Sequence, residues 1–314
     1  MAAGVPNSAI AADLAAAAVG RRPIGLHRFG TGSQHYVFEA TFEDRAPVVV
    51  RIAAEHGRAA MAGALKLSRL LRPRGVPLPR VIAEHLDHPF SHLVLERLPG
   101  TDLGDVISGL SDFSLQAIAA EIARAQQIVA RTMPATRYGY GVTPADAPHA
   151  RWSRVIEDSL DRSRRRIATA GLFDPGVVDM VATLMSAVRP ALDALPPTAF
   201  LHDTTTKNVI VTPQGAFSGI VDVDDLCFGD PRYVVALTLA ALRAHGRPTG
   251  YVDTWMNAAG LRADRIFRLY VALFIVDFMS EHGQAFNENL PPSSRDARDR
   301  LLGVFAEQLR LVEA

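Results

Sequence analysis

The run from Phe200 to Tyr233, FLHDTTTKNVIVTPQGAFSGIVDVDDLCFGDPRY, restricts what this 314-residue chain can fold into more than any other stretch. A polar loop, His202 to Asn208, leads into Val209-Ile210-Val211, which reads as a short buried strand. Pro213-Gln214-Gly215 reads as a turn. Phe217 to Val223 reads as the returning strand of a hairpin. Asp203 and Asn208 stand just before the first strand, and Asp222 stands near the end of the second. Antiparallel pairing predicts Asn208 beside Asp222, with Asp203 close by. An amide oxygen and a carboxylate at one point suit a hard cation such as Mg²⁺, which takes oxygen ligands and shares them with phosphate. A second carboxylate nearby can accept the proton of an attacking hydroxyl. These are the parts of a phosphoryl-transfer site.

The Asp-x4-Asn spacing of Asp203 and Asn208 resembles the kinase catalytic loop, with Asp222 at the position of the later metal-binding aspartate. The segment IVDVDDLCFGDP is similar to that of the aminoglycoside phosphotransferase family, small-molecule kinases with a protein-kinase-like fold. There the loop commonly reads H-G-D-x-x-x-x-N, and the metal aspartate opens a segment that closes on G-D-P. The resemblance implies an α+β, bilobal fold: a five-stranded antiparallel N-lobe sheet over residues 1–97 that binds nucleotide, and a mostly helical C-lobe over 98–314 with the catalytic loop and acceptor site. It implies Asp203 as catalytic base, Asn208 and Asp222 as Mg²⁺ ligands, and ATP as co-substrate, with GTP equally compatible. The implied acceptor is a hydroxyl of a small molecule, an aminoglycoside-like antibiotic or a related metabolite, cationic in the first case. The alternative is a catalytically weak pseudokinase that binds nucleotide or a partner. A protein kinase is disfavoured, because no A-P-E segment follows Asp222.

Upstream, Ile24–Phe29, a strand ending at Phe42 and Val48–Ile52 read as three successive strands. In the second, Tyr36, Phe38, Ala40 and Phe42 alternate with Val37, Glu39 and Thr41, the period of a half-buried strand. The loop between the first two, Gly30-Thr31-Gly32-Ser33, permits close backbone approach to phosphates, so Gly30, Gly32 and Ser33 are candidate nucleotide contacts. Kinases place a lysine on the third strand. This chain has only two lysines, Lys66 and Lys207, so Arg51 is the candidate there; a guanidinium is a competent phosphate ligand. A helix over about Glu55 to Leu71 follows. In kinases this helix carries a glutamate that holds the strand-three cation, but near Ala64 there is no acid. Two further strands, Val81–Glu84 and His92–Glu96, lead to the hinge. The adenine would bond backbone groups around Glu96 to Leu98. Lys207, next to Asn208, can approach the γ-phosphate or stay in solvent. The family's loop histidine lies two residues before the base; here Leu201 holds that position and the histidine is His202.

Asp224 and Asp225 read equally as contacts for a cationic substrate or as braces for the segment leading to Asp230, and Asp230 before Pro231 also reads as a turn or helix cap. Met133 to His149 reads as a long loop in which Tyr138 and Tyr140 either wall a pocket or pack the loop. Helices are expected at about Arg151–Ala168, Gly176–Leu192 and Val234–Leu242. Ile266–Met279, apolar nearly all round, is the expected central helix of the second domain; Asp277 and Glu281 at its end either reach the acceptor or form internal salt bridges. The Arg162–Arg166 run reads as a solvated helix face. Balanced charge, 33 basic against 33 acidic residues, implies no nucleic-acid or membrane field. The Ala-rich start lacks a basic n-region, so no signal peptide is expected. The single cysteine, Cys227, fits a reducing, cytoplasmic setting.

Overall fold

The computed structural model describes residues 5–30, 35–54, 57–285 and 293–313. The chain divides into two compact units. One comprises Met1–Pro99 together with Gly219–Asp225, and the other Gly100–Ser218 and Leu226–Gln284 with the last helix.

The first unit contains α1 (Ser8–Val19), β1 (Gly25–Phe29), β2 (His35–Thr41), β3 (Val48–Ala53), α2 (Arg58–Leu71), β4 (Val81–His85) and β5 (His92–Glu96). Its strands form one antiparallel sheet in the order β1-β2-β3-β5-β4. Asn7 caps the start of α1 by accepting the Ile10 N–H at 3.0 Å. Alternation then assigns the two faces. Phe38, Ala40, Val48, Val50, Ile52 and Val94 pack with Ala11, Leu14 and Ala15 of α1. Ala53 and Leu93 lie on the other face with Met61, Ala64 and Leu65 of α2. Residue 51 shares the parity of 53, so Arg51 falls on the α2 face. Each large aliphatic side chain buried in these layers contributes about 1.5–3 kcal/mol of transfer free energy.

The second unit begins with β6 (Thr101–Asp102), α3 (Leu103–Val106) and α4 (Asp112–Thr132). It continues through β7 (Gly139–Gly141), α5 (Trp152–Ala170), α6 (Gly176–Asp193) and β8 (Thr198–Phe200). Then come β9 (Val209–Val211), β10 (Phe217–Ile220), β11 (Leu226–Gly229), α7 (Arg232–Ala244), α8 (Gly250–Ala259), α9 (Arg265–Glu281) and α10 (Arg295–Glu313). The unit is mostly helical. Leu269 to Leu273, Ile275 and Val276 of α9 are all fully buried, so α9 is its central helix, as its all-round apolar sequence predicts.

Two expectations need correction, and one strand was not anticipated. The returning strand ends at Ile220, not Val223, because Asp222 adopts a left-handed conformation, φ 64°, that no strand accommodates. The Met133–His149 stretch is not an open loop: it contains β7, paired with β11, and a backbone bridge from Tyr138 to His149. The acidic segment is followed by a strand, β11, which also pairs with β8. The chain passes from the second unit into the first within β10, at Gly219. A β-carbon there would lie 2.7 Å from the Pro77 carbonyl oxygen, and the next residue, Ile220, donates its N–H to that same oxygen at 2.9 Å. Only glycine allows so close an approach.

Candidate active site

The polar loop before β9 is held from inside the second unit. A turn closes it, with the Asn208 N–H donating to the Thr205 carbonyl at 3.0 Å. The Asn208 side-chain amide donates to the Asp203 carbonyl at 2.8 Å, which turns the amide oxygen away from that carbonyl. Asn208 is buried, 6% exposed, whereas Asp203 is partly open. The Asp203 carboxylate accepts the Thr205 hydroxyl at 3.3 Å and lies 3.5 Å from Lys207 Nζ. Lys207 therefore pairs with the proposed base, and its side chain remains 56% exposed.

Leu201, which replaces the family's histidine, is buried at 1% exposure. The brace for the loop comes from α4 instead. Gln126 accepts the Leu201 N–H at 2.9 Å and donates to both the Leu201 carbonyl and the Thr204 hydroxyl at 3.0 Å. Sequence reasoning missed Gln126. Its signal was a polar residue four after Ile122 and three before Val129, on the apolar stripe of α4. His202 packs edge-on against Tyr140, with ring centroids 5.0 Å apart.

In the first unit, Arg51 is buried at 7% exposure and meets two acids. Its Nη1 donates to Asp224 Oδ1 at 2.5 Å, its Nη2 to Asp224 Oδ2 at 2.8 Å, and Nη2 also to Asp222 Oδ1. His35 Nε2 lies 3.0 Å from Asp224 Oδ2. Burial alone would raise the Asp224 pKa, but the Arg51 charge and the His35 and Arg51 hydrogen bonds outweigh it and hold the carboxyl at about 2. Burial opposes charge on Arg51 too, and Asp222 and Asp224 together reverse that effect. Asp224 is thus an internal partner of Arg51 and His35, an arrangement that neither sequence reading named. The acid-free helix is observed as well: α2 carries no carboxylate between Arg58 and Leu71.

Glu96 lies at the end of β5. Its N–H donates to the Arg80 carbonyl at 2.9 Å, and its carboxylate accepts the Arg80 N–H at 3.1 Å. Leu98 is buried, and its carbonyl accepts the Arg97 guanidinium. Gly30 ends at a turn where a β-carbon would meet nothing within 4 Å; Gly32, Ser33 and Glu55 lie outside the described residues. Asp230 is structural. Four-per-cent exposed, it accepts the Arg232 N–H at 3.0 Å and the Tyr270 hydroxyl at 3.0 Å, and Trp152 Nε1 donates to Tyr270 at 2.7 Å. A β-carbon at Gly229 would sit 2.2 Å from the Trp152 ring, so the Gly-Asp pair is fixed by packing. Asp277 accepts Arg162 Nη2 and the Ser163 hydroxyl, each at 3.0 Å; it is an internal salt bridge, and the Arg162 side chain stays 41% exposed. Tyr138 packs the loop and donates its hydroxyl to the Leu195 carbonyl at 2.6 Å. Tyr140 keeps 39% exposure while its hydroxyl bonds to that of Tyr233.

The candidate residues are thus a buried strand arginine clamped by acids in the first unit and a braced Asp-x4-Asn loop in the second. The sequence profile of the phosphotransferase enzyme family (APH) matches residues 25–270. The chain belongs to this family. Among solved structures, the phosphotransferase is similar to a thermostable mutant of aminoglycoside phosphotransferase APH(4)-Ia in ternary complex with AMP-PNP and hygromycin B, at 16% identity and TM-score 0.66, covering 97% of this chain and 98% of that one. It is also similar to APH(2")-IIa in a streptomycin–ATP ternary complex, at 13% identity and TM-score 0.65, covering 98% and 99%. A third is a mutant aminoglycoside 2'-phosphotransferase-IIIa in complex with GDP, at 16% identity and TM-score 0.60, covering 93% and 91%. No curated protein sequence matches. The α+β fold, with its five-stranded antiparallel sheet and mostly helical second unit, is therefore that of the kinase-like aminoglycoside phosphotransferases. No helix among the described residues is long and apolar enough to cross a membrane.

Proposed function

We propose that this phosphotransferase moves the γ-phosphate of ATP to a hydroxyl of a small molecule, an aminoglycoside-like antibiotic or a related metabolite, in the cytoplasm where ATP is supplied. The observation that carries the reading is the Asp203–Asn208 loop, braced by Gln126, in a chain of this family. Asp203 takes the proton of the acceptor hydroxyl as transfer proceeds. Lys207, already 3.5 Å from Asp203, keeps a positive charge beside the transferring group. Arg51 grips phosphate oxygens, and Gly30, Gly32, Ser33 and backbone groups of Glu96 to Leu98 are the further nucleotide contacts of this reading.

Among the described residues no cluster of three or more His, Cys, Asp or Glu suits a metal. Mg²⁺ does not need one, since it commonly takes one or two protein oxygens and completes its shell with phosphate and water. Asn208, one residue before β9, and Asp222, two residues after β10, fit that donor set, and the ion would neutralise phosphate charge. Of the acids considered as contacts for a cationic acceptor, Asp224 and Asp277 each already pair with an arginine of their own unit. Neutral hydroxyl compounds therefore belong in the test beside aminoglycosides.

The test is ADP release with Mg²⁺-ATP across a panel of cationic and neutral hydroxylated compounds, with GTP in parallel. Wild-type turnover with at least one acceptor is expected, and Asp203→Asn should reduce it on the order of 10²–10⁴-fold with nucleotide affinity retained. Turnover by Asp203→Asn at the wild-type rate would remove Asp203 from the mechanism. Nucleotide binding without transfer to any acceptor would favour the pseudokinase reading.

A further inference from the structure

A guanidinium buried as deeply as Arg51 needs an anionic partner, or desolvation makes its site untenable. In the kinase pattern that partner is a helix glutamate. Here the helix presents Ala64 and Ser68, and these line a cavity of about 40 Å³ together with Arg51, Leu93, Leu95 and Asp222. Among the described residues α2 itself contributes no carboxylate to it. The counter-charge arrives instead from the segment after β10.

The two acids there are not equivalent. Asp224 engages both terminal nitrogens of Arg51, at 2.5 and 2.8 Å, in the forked geometry that fixes a guanidinium plane. Its side chain is 15% exposed, and the buried His35 anchors its second oxygen at 3.0 Å. Asp222 meets Arg51 through one oxygen and one nitrogen only, and its side chain is 46% exposed. Nη2 is shared between them.

We infer that Asp224, backed by His35, is the positioning residue for Arg51 and stands in for the absent helix acid, while Asp222 is an exchangeable partner that Arg51 gives up when nucleotide binds. The inference rests on the reading of Arg51 as a phosphate ligand. Asp224 keeps the guanidinium plane fixed through the exchange, so the arginine meets phosphate without first paying to become ordered. His35, at the start of β2, ties the same carboxylate to the strand that follows the glycine loop.

The test is a double-mutant cycle: wild type, Asp224→Ala, Arg51→Ala and the pair, each titrated with Mg²⁺-ATP and each unfolded in urea. Asp224→Ala should weaken ATP about tenfold in the wild-type background and less than about twofold once Arg51 is gone. Equal losses in both backgrounds would overturn the role, since Asp224 would then act other than through Arg51. Ala64→Glu, which places an acid on the α2 side of the cavity, should restore part of the affinity lost in Asp224→Ala; a merely structural Asp224 gives no such rescue. If Asp224→Ala does not fold, Asp224→Asn replaces it in the cycle, and native-like melting with unchanged ATP affinity in that variant overturns the inference. The urea arm needs no nucleotide. A wild-type protein that binds no ATP yet shows non-additive unfolding would sink the phosphate-ligand reading and the positioning role with it, but leave the ion pair. Additive unfolding with normal ATP binding would overturn the positioning role and leave the phosphate-ligand reading standing.

Discussion

Gln126 clamps the backbone of Leu201 at two points, accepting its N–H at 2.9 Å and donating to its carbonyl at 3.0 Å. The loop that carries Asp203 is therefore registered against α4 by a single side chain. Gln126→Leu keeps the volume and leaves buried backbone groups unpaired, which should cost about 1–3 kcal/mol of stability. It should also lower kcat more than it raises the nucleotide KM, because the clamp serves the Asp203 loop and not Arg51. Urea unfolding and steady-state kinetics check both. A variant with wild-type stability would show that water replaces the amide at no cost.

Arg51→Ala should raise the ATP KM by about ten- to a hundredfold, the loss of a charge-assisted contact of roughly 1.5–3 kcal/mol. Arg51→Lys should recover only part of this, since a point charge cannot use both oxygens of Asp224 in one plane. An unchanged KM in Arg51→Ala would mean that the phosphate-binding cation lies elsewhere.

Asp222 is the one non-glycine residue with positive φ among the described residues. Aspartate and asparagine tolerate that conformation better than alanine, whose β-carbon costs about 1–2 kcal/mol there. Asp222→Asn thus separates charge from backbone strain. It should weaken ATP binding with Mg²⁺ about tenfold or more and leave Mg²⁺-free binding unchanged or slightly tighter, because Arg51 loses a competitor. Equal losses with and without the metal would assign Asp222 to the fold.

Burial, with Asp277 beside it, pushes the Glu281 carboxyl from 4.5 up to about 7, against the opposing pull of Lys207, Arg166 and Arg162. Between those values the folded chain binds a proton that the unfolded chain has released. Stability should therefore fall as pH rises from about 4.5 to about 7 and level off above, by at most about 3 kcal/mol from this group. Glu281→Gln should flatten that slope and raise stability near pH 8. Urea midpoints at several pH values read the difference; identical slopes in both proteins would show that Glu281 ionises normally.

Much of this was legible from the sequence because it is written in local patterns. Alternation in Tyr36–Thr41, the apolar α9 and the Asp-x4-Asn spacing each state their structure within a few residues. The Arg51 environment was not legible in the same way. The missing acid near Ala64 was visible, but its substitute, Asp224, lies 173 positions from Arg51, and nothing in Asp222-Val223-Asp224-Asp225 says which carboxylate points where. Gln126 was hidden for a similar reason, since its partner groups are backbone atoms that every residue has. The strand β11 was missed because Leu226-Cys227-Phe228 is a short apolar run with no periodicity to distinguish it from a linker.

The crossing at Gly219 bears on how the protein is made. The sheet of β1 to β5 sits entirely within the first hundred residues, but the carboxylates that neutralise its buried arginine leave the ribosome only when residue 225 does. Until then the nascent N-terminal unit contains Arg51 without Asp222 or Asp224, and the Pro77 carbonyl lacks the Ile220 N–H that it accepts in the folded chain. A fragment ending near Pro99 carries the same defect permanently. The sheet can thus form early, but the neutralisation of Arg51 is a non-local step that waits on a segment more than 170 residues away.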